Sequence, residues 1–464
     1  LLLLLIIPFL SFGQGWEKLY DVSEFNDVEY FSLRFVDGQQ TNDGGYIVLG
    51  LGIYIAEYGC FGETAQWERP FVIKLDSEGN EEWQKIIFED YERMNMNRGS
   101  IIQTTDGGYA LVGDRFSYDI IGWDDTWEQC TLDEVSHSPL LKLFENGYEE
   151  WSQTYSNGQF NVDEFNNYVG EFDNINTIKQ SSDNGYIMAG TSSSQIGSGG
   201  LFNGEGGTYI IKTDINGIEE LRYPISVVST SSLIEWVDTL GIVIGNIFVK
   251  EVLEVNNGYV ILELKAGFND FYSVLTKINY NGDVVWYSNF VNSPIIKITN
   301  TSDGGFIGSG LSSIIKLNSD GQEVWSQNLE NEVKYATQTA DQGYIVLTKD
   351  ENEAFNTLLK TNSYGEIEWE QNYEIQGGRA KATQTNDGGY VIFGEKTPAY
   401  SWASNLCIIK TNEFGNITST LEYPSINKNL ITTIDILGRE TANNKGFQLH
   451  IYDDGSVEKK YLIK

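Results

Sequence analysis

Side chains able to ionise, coordinate or stack are unevenly supplied in this chain. It has only two histidines, His137 and His450, which leaves no basis for a multi-histidine metal centre. A Ser-His-Asp mechanism would have to use His137, and no nucleophile motif surrounds it. The densest chemical text is DIIGWDDTWEQC at 119–130, where Trp123 and Trp127 flank Asp124 and Asp125, with Glu128, Asp133 and Glu134 close behind. An indole stacks on the C–H face of a sugar, and a carboxylate accepts hydrogen bonds from its hydroxyls. Trp67, Trp236 and Trp402 are further candidates for such contacts. The plainer alternative is that these rings only pack long loops down. The same carboxylates offer pairs for glycosidase-type acid–base chemistry, but sequence does not fix their separation.

Metal and redox chemistry have thinner support. The loops LDSEGNEE (75–82) and TDINGIEE (213–220) offer oxygen ligands of the kind Ca²⁺ takes. They lack the acidic spacing and closing Glu of an EF-hand, and turn chemistry already accounts for them, so no cofactor is expected and Ca²⁺ is the one candidate ion. Cys60 and Cys130 fall in corresponding insertions and could form an inter-loop disulfide, whereas Cys407, in the apolar text NLCII, reads as a buried free thiol.

The elements that position these residues are repeats. QTNDGGYIVLG at 40–50 recurs at 103–113, 180–190, 253–263, 300–310, 338–348 and 384–394. IKLDSEGNEEW at 73–83 recurs at 141–151, 211–221, 276–286, 315–325, 359–369 and 409–419, in strict alternation with the first. Each signature is two short strands about a turn whose Asp, Asn and Gly suit φ > 0. Two hairpins make a four-stranded blade a-b-c-d, and seven units predict an all-β, seven-bladed β-propeller over 16–424. The repeats resemble bacterial seven-bladed propeller repeats of the type FVxKLxxxG…W, and the second is similar to the tryptophan-docking repeat of quinoproteins. That resemblance implies a fold and not a function.

Three expectations follow for the ring. WEKLY at 16–20 matches the d-strand text WQKII at 83–87, so the N-terminal strand should complete the seventh blade, whose own copy has Ser419 in place of Trp. Trp16, Trp83, Trp151, Trp286, Trp325 and Trp369 should pack between blades. Lys74, Lys142, Lys212, Lys277, Lys316, Lys360 and Lys410 should each face the a–b turn Asp of their own blade, with Asn256 replacing Asp in the fourth. The insertions 51–70, 114–138, 152–175, 191–207 and 223–250 all fall in b–c or d–a connections and load one face of the ring. Long connections on a rigid scaffold are where specificity resides.

The ends and the charge complete the reading. Residues 1–15 form an apolar run ending in small residues, read as a signal peptide with its beginning missing; it is too short for a transmembrane span. IDILGRE (434–440) and IYDDGSVEKKYLIK (451–464) resemble the C-terminal sorting domain of type IX secretion cargo in Bacteroidota. This implies that residues 425–464 engage the type IX machinery and that the ring is secreted or held at the outer-membrane cell surface. The net charge is −36; such a surface repels nucleic acid, so the expected partner is glycan or protein, met by a monomer.

Overall fold

The computed structural model describes residues 15–20, 31–58, 63–87, 94–95, 99–113, 115–123, 130–159, 161–162, 168–196, 207–224, 247–266, 271–291, 293–350, 355–398, 403–417, 430–434, 439, 446–452 and 457–462. The segment read as a signal peptide lies outside them, apart from Gly15. Two compact units divide the chain, Leu1–Thr418 and Ser419–Lys464.

Turn chemistry builds the first level. In blade 1 the Thr41 N–H donates to Gly45 O, and Asp43 Oδ1 accepts from the Gly45 N–H at 2.9 Å and from the Thr41 hydroxyl. The residue after the Asp must turn left-handed. Gly44 does so at φ 86°, while Asn184 and Gln342 hold the same position at φ 68° and 69°. Polar side chains can visit this region at modest cost, which is why the motif tolerates them.

Blade 1 comprises Ser32–Gln40, Tyr46–Tyr58, Glu63–Leu75 and Glu81–Ile86 in the order a-b-c-d. In blade 2, a is Gly99–Gln103 and d is Glu149–Gln159. Its c strand, Cys130–Leu143, pairs with two consecutive b segments, Tyr109–Gly113 and Arg115–Trp123. Blade 3 runs Tyr168–Gln180, Tyr186–Ile196, Gly207–Thr213, Glu219–Pro224, and blade 4 runs Ile247–Val255, Gly258–Ala266, Phe271–Ile278, Val284–Phe290. Blade 5 has Ile295–Asn300, Phe306–Gly310, Ser313–Leu317 and Glu323–Asn328; blade 6 has Glu332–Gln338, Tyr344–Lys349, Asn356–Thr361 and Ile367–Tyr373. Every pairing is antiparallel, and no helix occurs among the described residues.

The ring closes as the repeat text predicts. Blade 7 takes Gln376–Gln384, Tyr390–Lys396 and Asn405–Thr411 from the end of the ring and its d strand, Trp16–Tyr20, from the start. Trp16 pairs with Lys410 in the register that Trp83 takes against Lys74. The a strands of successive blades adjoin one another in a complete cycle. There is no single core. Seven apolar clusters each lie between two adjacent blades; the one joining blade 7 to blade 1 includes Tyr20, Phe35, Tyr46, Phe71 and Phe393.

A second circumferential device escaped the sequence reading. The Gln that opens the first signature donates across its own turn, as in Gln40 Nε2 to Gly44 O at 3.1 Å, and accepts a backbone N–H from the preceding blade's turn. Asn42 thus donates to Gln103, Thr105 to Gln180, Ser302 to Gln338, Ala340 to Gln384, and Asn386 to Gln40. Glu254 takes the role in blade 4, accepting from Ser182.

The second unit contains a three-stranded antiparallel sheet, Leu430–Ile434, Gly446–Tyr452 and Val457–Leu462. The Asp-Asp-Gly text at 453–455 lies outside the described residues.

Deleting residues 16–20 removes both the closing strand and the Trp16 ring. The expected outcome is a loss of more than about 3 kcal/mol with a lowered thermal midpoint; an unchanged midpoint would refute closure by this strand.

Candidate functional site

The two faces of the ring differ in kind. The a–b and c–d turns share one face, where a buried lysine ties the two turns within a blade together. Lys74, only 2 % exposed, places its ammonium 2.8 Å from Asp43 and 2.7 Å from Glu82, and donates to Leu75 O at 2.9 Å. The expected Lys–Asp pair also forms at Lys142–Asp106, Lys212–Asp183, Lys316–Asp303, Lys360–Asp341 and Lys410–Asp387. In four blades it is a triad, with Glu82, Glu150, Glu220 or Glu368 as the third member. Those Glu immediately precede the Trp slot, a signal present in the repeat text. In blade 4, where Asn256 replaces Asp, Lys277 is only half-buried.

Burial alone would raise the Asp43 carboxyl. Hydrogen bonds from Lys74, Thr41 and Gly45 overcome that and hold it at about 2; Asp183 and Asp303 are held at about 2 in the same way. A groove of about 720 Å³ between blades 1 and 2 on this face is lined by Glu82, Trp83, Asp106, Lys142 and Glu150. Of its charged groups only Glu145, which also lines it, stands outside the triads.

The Trp slot is structural. Each ring lies over the left-handed glycine of the next blade's c–d turn: Trp16 on Gly79, Trp83 on Gly147, Trp151 on Gly217, Trp286 on Gly321, Trp325 on Gly365 and Trp369 on Gly415. Blade 3 has Leu221 in the slot, and Tyr223, two residues on, covers Gly282 instead. Most rings also meet the next blade's first b-strand aromatic edge-on, as in Trp83–Tyr109 at 5.8 Å.

The opposite face carries the insertions, and their form differs from the loops expected. Residues 51–58 and 63–70 are strand and continue the b and c strands of blade 1, pairing as far as Tyr58 with Glu63. Blade 2 behaves alike, with Arg115–Trp123 against Cys130–His137. Blade 1 strands of 13 residues compare with 5 in blade 5. At ~3.3 Å per residue the longer hairpin projects roughly 25 Å further.

The predicted site residues are distributed unequally on this face. Trp67 is 2 % exposed, opposite Tyr54 in the hairpin, and packs with Tyr54 and Leu406 in the cluster between blades 7 and 1. Its ring is core and is not presented to a ligand, which corrects its reading as a contact residue. Trp123 ends its strand, with its backbone opposite Cys130. The Trp123 and Cys130 side chains, and all of Asp124, Asp125, Trp127, Trp236, Trp402 and Cys60, lie outside what is described. Cys407 is the expected buried free thiol, pushed up to about 12 by burial, with the Glu17 carboxylate adding to the effect. Among the described residues no group of three or more His, Cys, Asp or Glu is gathered as a metal site requires.

The structure brings together groups the sequence reading passed over. At the blade 7–blade 1 junction on the insertion side, Arg34 meets Glu68 at 2.7 Å, and the Phe35 N–H donates to Glu395 at 3.0 Å. Burial raises the Glu395 carboxyl; the Phe35 hydrogen bond, Arg34 and Arg379 oppose this, and Glu68 reinforces it.

On the axis, the a strands of all seven blades place one residue at equivalent register: Asp37, Ser100, Thr177, Glu251, Lys297, Tyr335 and Lys381. In six of them this residue follows a register irregularity, the kind of kink that re-aims side chains. Glu251 accepts from Lys297 at 2.7 Å, Lys179 at 3.0 Å and the Thr177 hydroxyl at 2.9 Å. Asp37 accepts from Lys381 at 2.8 Å, from the Ser100 hydroxyl at 2.9 Å, and from the N–H groups of Gly38 and Ile101. Burial would raise both carboxyls, and the adjacent lysines hold them low. The a strands lack the repeat signature, so only their alignment in the ring could have revealed this set.

No protein-family model and no curated protein sequence matches the chain. Solved structures do share its architecture. A protein of unknown function from Bacteroides caccae is similar at 10% identity and a TM-score of 0.38, over 69% of this chain and 94% of that one. The NanB sialidase from Streptococcus pneumoniae is similar at 9% and 0.38, over 87% and 69%. An exotype rhamnogalacturonan lyase is similar at 12% and 0.36, over 93% and 89%. The likeness is one of fold alone.

Lys74→Met should cost roughly 1–3 kcal/mol, the range for hydrogen bonds to charged groups. The Asp43 carboxyl lies below its unfolded value, so its contribution is complete above about pH 4 and is lost as pH falls towards about 2. The deficit of the variant in denaturant midpoint should therefore shrink across that window; a deficit constant from pH 5 to pH 2 would contradict the triad. Glu395 has the opposite sign. Its folded value is raised, so wild type loses stability as pH rises through it. Glu395→Gln should accordingly gain stability over wild type at pH 7 and not at pH 4, as read by thermal melts at the two pH values.

Proposed function

We propose that the chain is an exported, non-enzymatic binding or adhesion propeller whose insertion-bearing face contacts glycan or protein. The observation that carries this reading is the one-sidedness of the ring. The turn face is built of short, internally bonded a–b and c–d turns, while the opposite face projects the hairpins of blades 1 and 2. Trp123 is the last residue of the Arg115–Trp123 strand of the blade 2 hairpin; Asp124, Asp125 and Trp127 follow it in the sequence, and the repeat spacing assigns Trp236 and Trp402 to other b–c or d–a connections. Export to the cell surface rests on the sorting-domain resemblance of residues 425–464, which would engage the type IX machinery, and the ring would act as a monomer.

A carboxylate-based carbohydrate hydrolase on the same face is the second reading. One observation favours it: Glu395, whose carboxyl is raised by burial, neighbours Glu68, which is salt-bridged to Arg34. Pairs of carboxyls in unlike environments are how acid and base roles separate.

A glycan array run beside hydrolysis assays on the same sugars tests both. The expected outcome is binding without turnover, weakened at least tenfold by Trp123→Ala or Trp127→Ala. Turnover abolished by Glu395→Gln would replace the first reading with the second.

A further inference from the structure

The axial channel has an unbalanced account of charges and donors, independent of the insertion face. Among the described residues five ionic groups meet there, the ammoniums of Lys179, Lys297 and Lys381 and the carboxylates of Asp37 and Glu251. Three positive charges against two negative leave one in excess, inside a chain of net charge −36. The acceptors are nearly filled, since a carboxylate offers about four acceptor positions. Asp37 receives four hydrogen bonds and Glu251 three. Each ammonium carries three N–H donors, yet among the described residues Lys297 and Lys179 each have Glu251 as their one ion-pair partner, and Lys381 has Asp37.

The excess is localised. Lys297 of blade 5 and Lys381 of blade 7 occupy equivalent register on either side of Tyr335 of blade 6. The Lys381 ammonium is 5.8 Å from the centre of the Tyr335 ring. The Tyr335 hydroxyl makes no hydrogen bond to the described residues, which leaves it as a further donor. The site is open to solvent: the Lys297 side chain is 36 % exposed and that of Lys381 19 %. Two like charges at equivalent register on the a strands either side of blade 6, with donors unspent and water access, have the makings of an anion site.

We propose that the axial channel binds a single carboxylate group, seated between Lys297, Tyr335 and Lys381. One carboxylate supplies the missing negative charge, and its two oxygens accept from both ammoniums and the phenol. A doubly charged anion would overshoot the excess and face Asp37 and Glu251. The carboxylate could belong to a free small acid or be carried on an acidic sugar.

Calorimetric titration of the full chain at low ionic strength with acetate, glucuronate and glucose tests this. One carboxylate should bind per chain, and glucose should give no heat. Equal affinity for acetate and glucuronate identifies the free acid as the ligand class; tighter glucuronate identifies the sugar-borne one. Lys297→Gln should weaken binding at least tenfold. Tyr335→Phe removes only a hydroxyl without a protein partner, and should weaken binding severalfold with the melting temperature unchanged. Trp123→Ala should leave carboxylate binding intact, which separates this site from the insertion face. No heat from either acid, or binding that neither Lys297→Gln nor Tyr335→Phe alters, would overturn the proposal.

Discussion

The contact on which the ring depends is an aromatic ring laid over a left-handed glycine. At each c–d turn the chain reverses with a glycine at φ between 72° and 85°, a region L side chains avoid. The preceding blade's ring then occupies the space where a Cβ would stand. A Cβ at Gly147 would fall 2.6 Å from Trp83, and one at Gly217 would fall 2.5 Å from Trp151. The glycine is thus required twice, for its dihedral and for its missing side chain. This joint fixes the d strand of one blade to the turn of the next, so blade spacing is set at the perimeter, while the Gln relay sets it nearer the axis. Trp16 on Gly79 is the same joint made between the two ends of the ring, and it therefore requires no disulfide.

Charge is organised by that geometry. Six of the seven turn-face lysines are nearly buried, and each of those six carries one or two carboxylates that remain partly in water. A buried ammonium needs such partners, whereas an exposed carboxylate loses little hydration in providing them. The arrangement lets a strongly acidic chain use its surplus of Asp and Glu as structural acceptors. At the axis the balance reverses. Narrow space there admits few groups, and the a strands supply more lysine than carboxylate.

Much of this was legible in the sequence because it repeats. Six Asp turns and one Asn turn, seven Lys positions and a displaced WEKLY segment predicted blade number, closure and the Lys–Asp pairs from one dimension. The Glu of the triads was equally visible in the EEW text but had no partner until the c and d strands were laid side by side. The axial set was not legible. Asp37, Glu251, Lys297 and Lys381 lie in strands whose sequences share little, because each a strand packs against two different neighbours. Tyr223 was hidden for a related reason: the joint asks for a ring over Gly282, and a residue two positions along the same strand face can deliver it.

The correction at Trp67 shows how an insertion made of strand differs from one made of loop. In a hairpin that extends a blade, alternate residues keep facing the neighbouring blade for as long as that blade has height to meet them. Tyr54 and Trp67 are directly opposed and lie within that height, so both are buried, whereas Ile55, one step along, is 61 % exposed. Position along the extension therefore decides whether an aromatic packs or recognises. Trp67 sits four residues from Phe71, a core residue of the same strand, whereas Trp123 comes ten residues after Gly113, the last b-strand residue of the first signature.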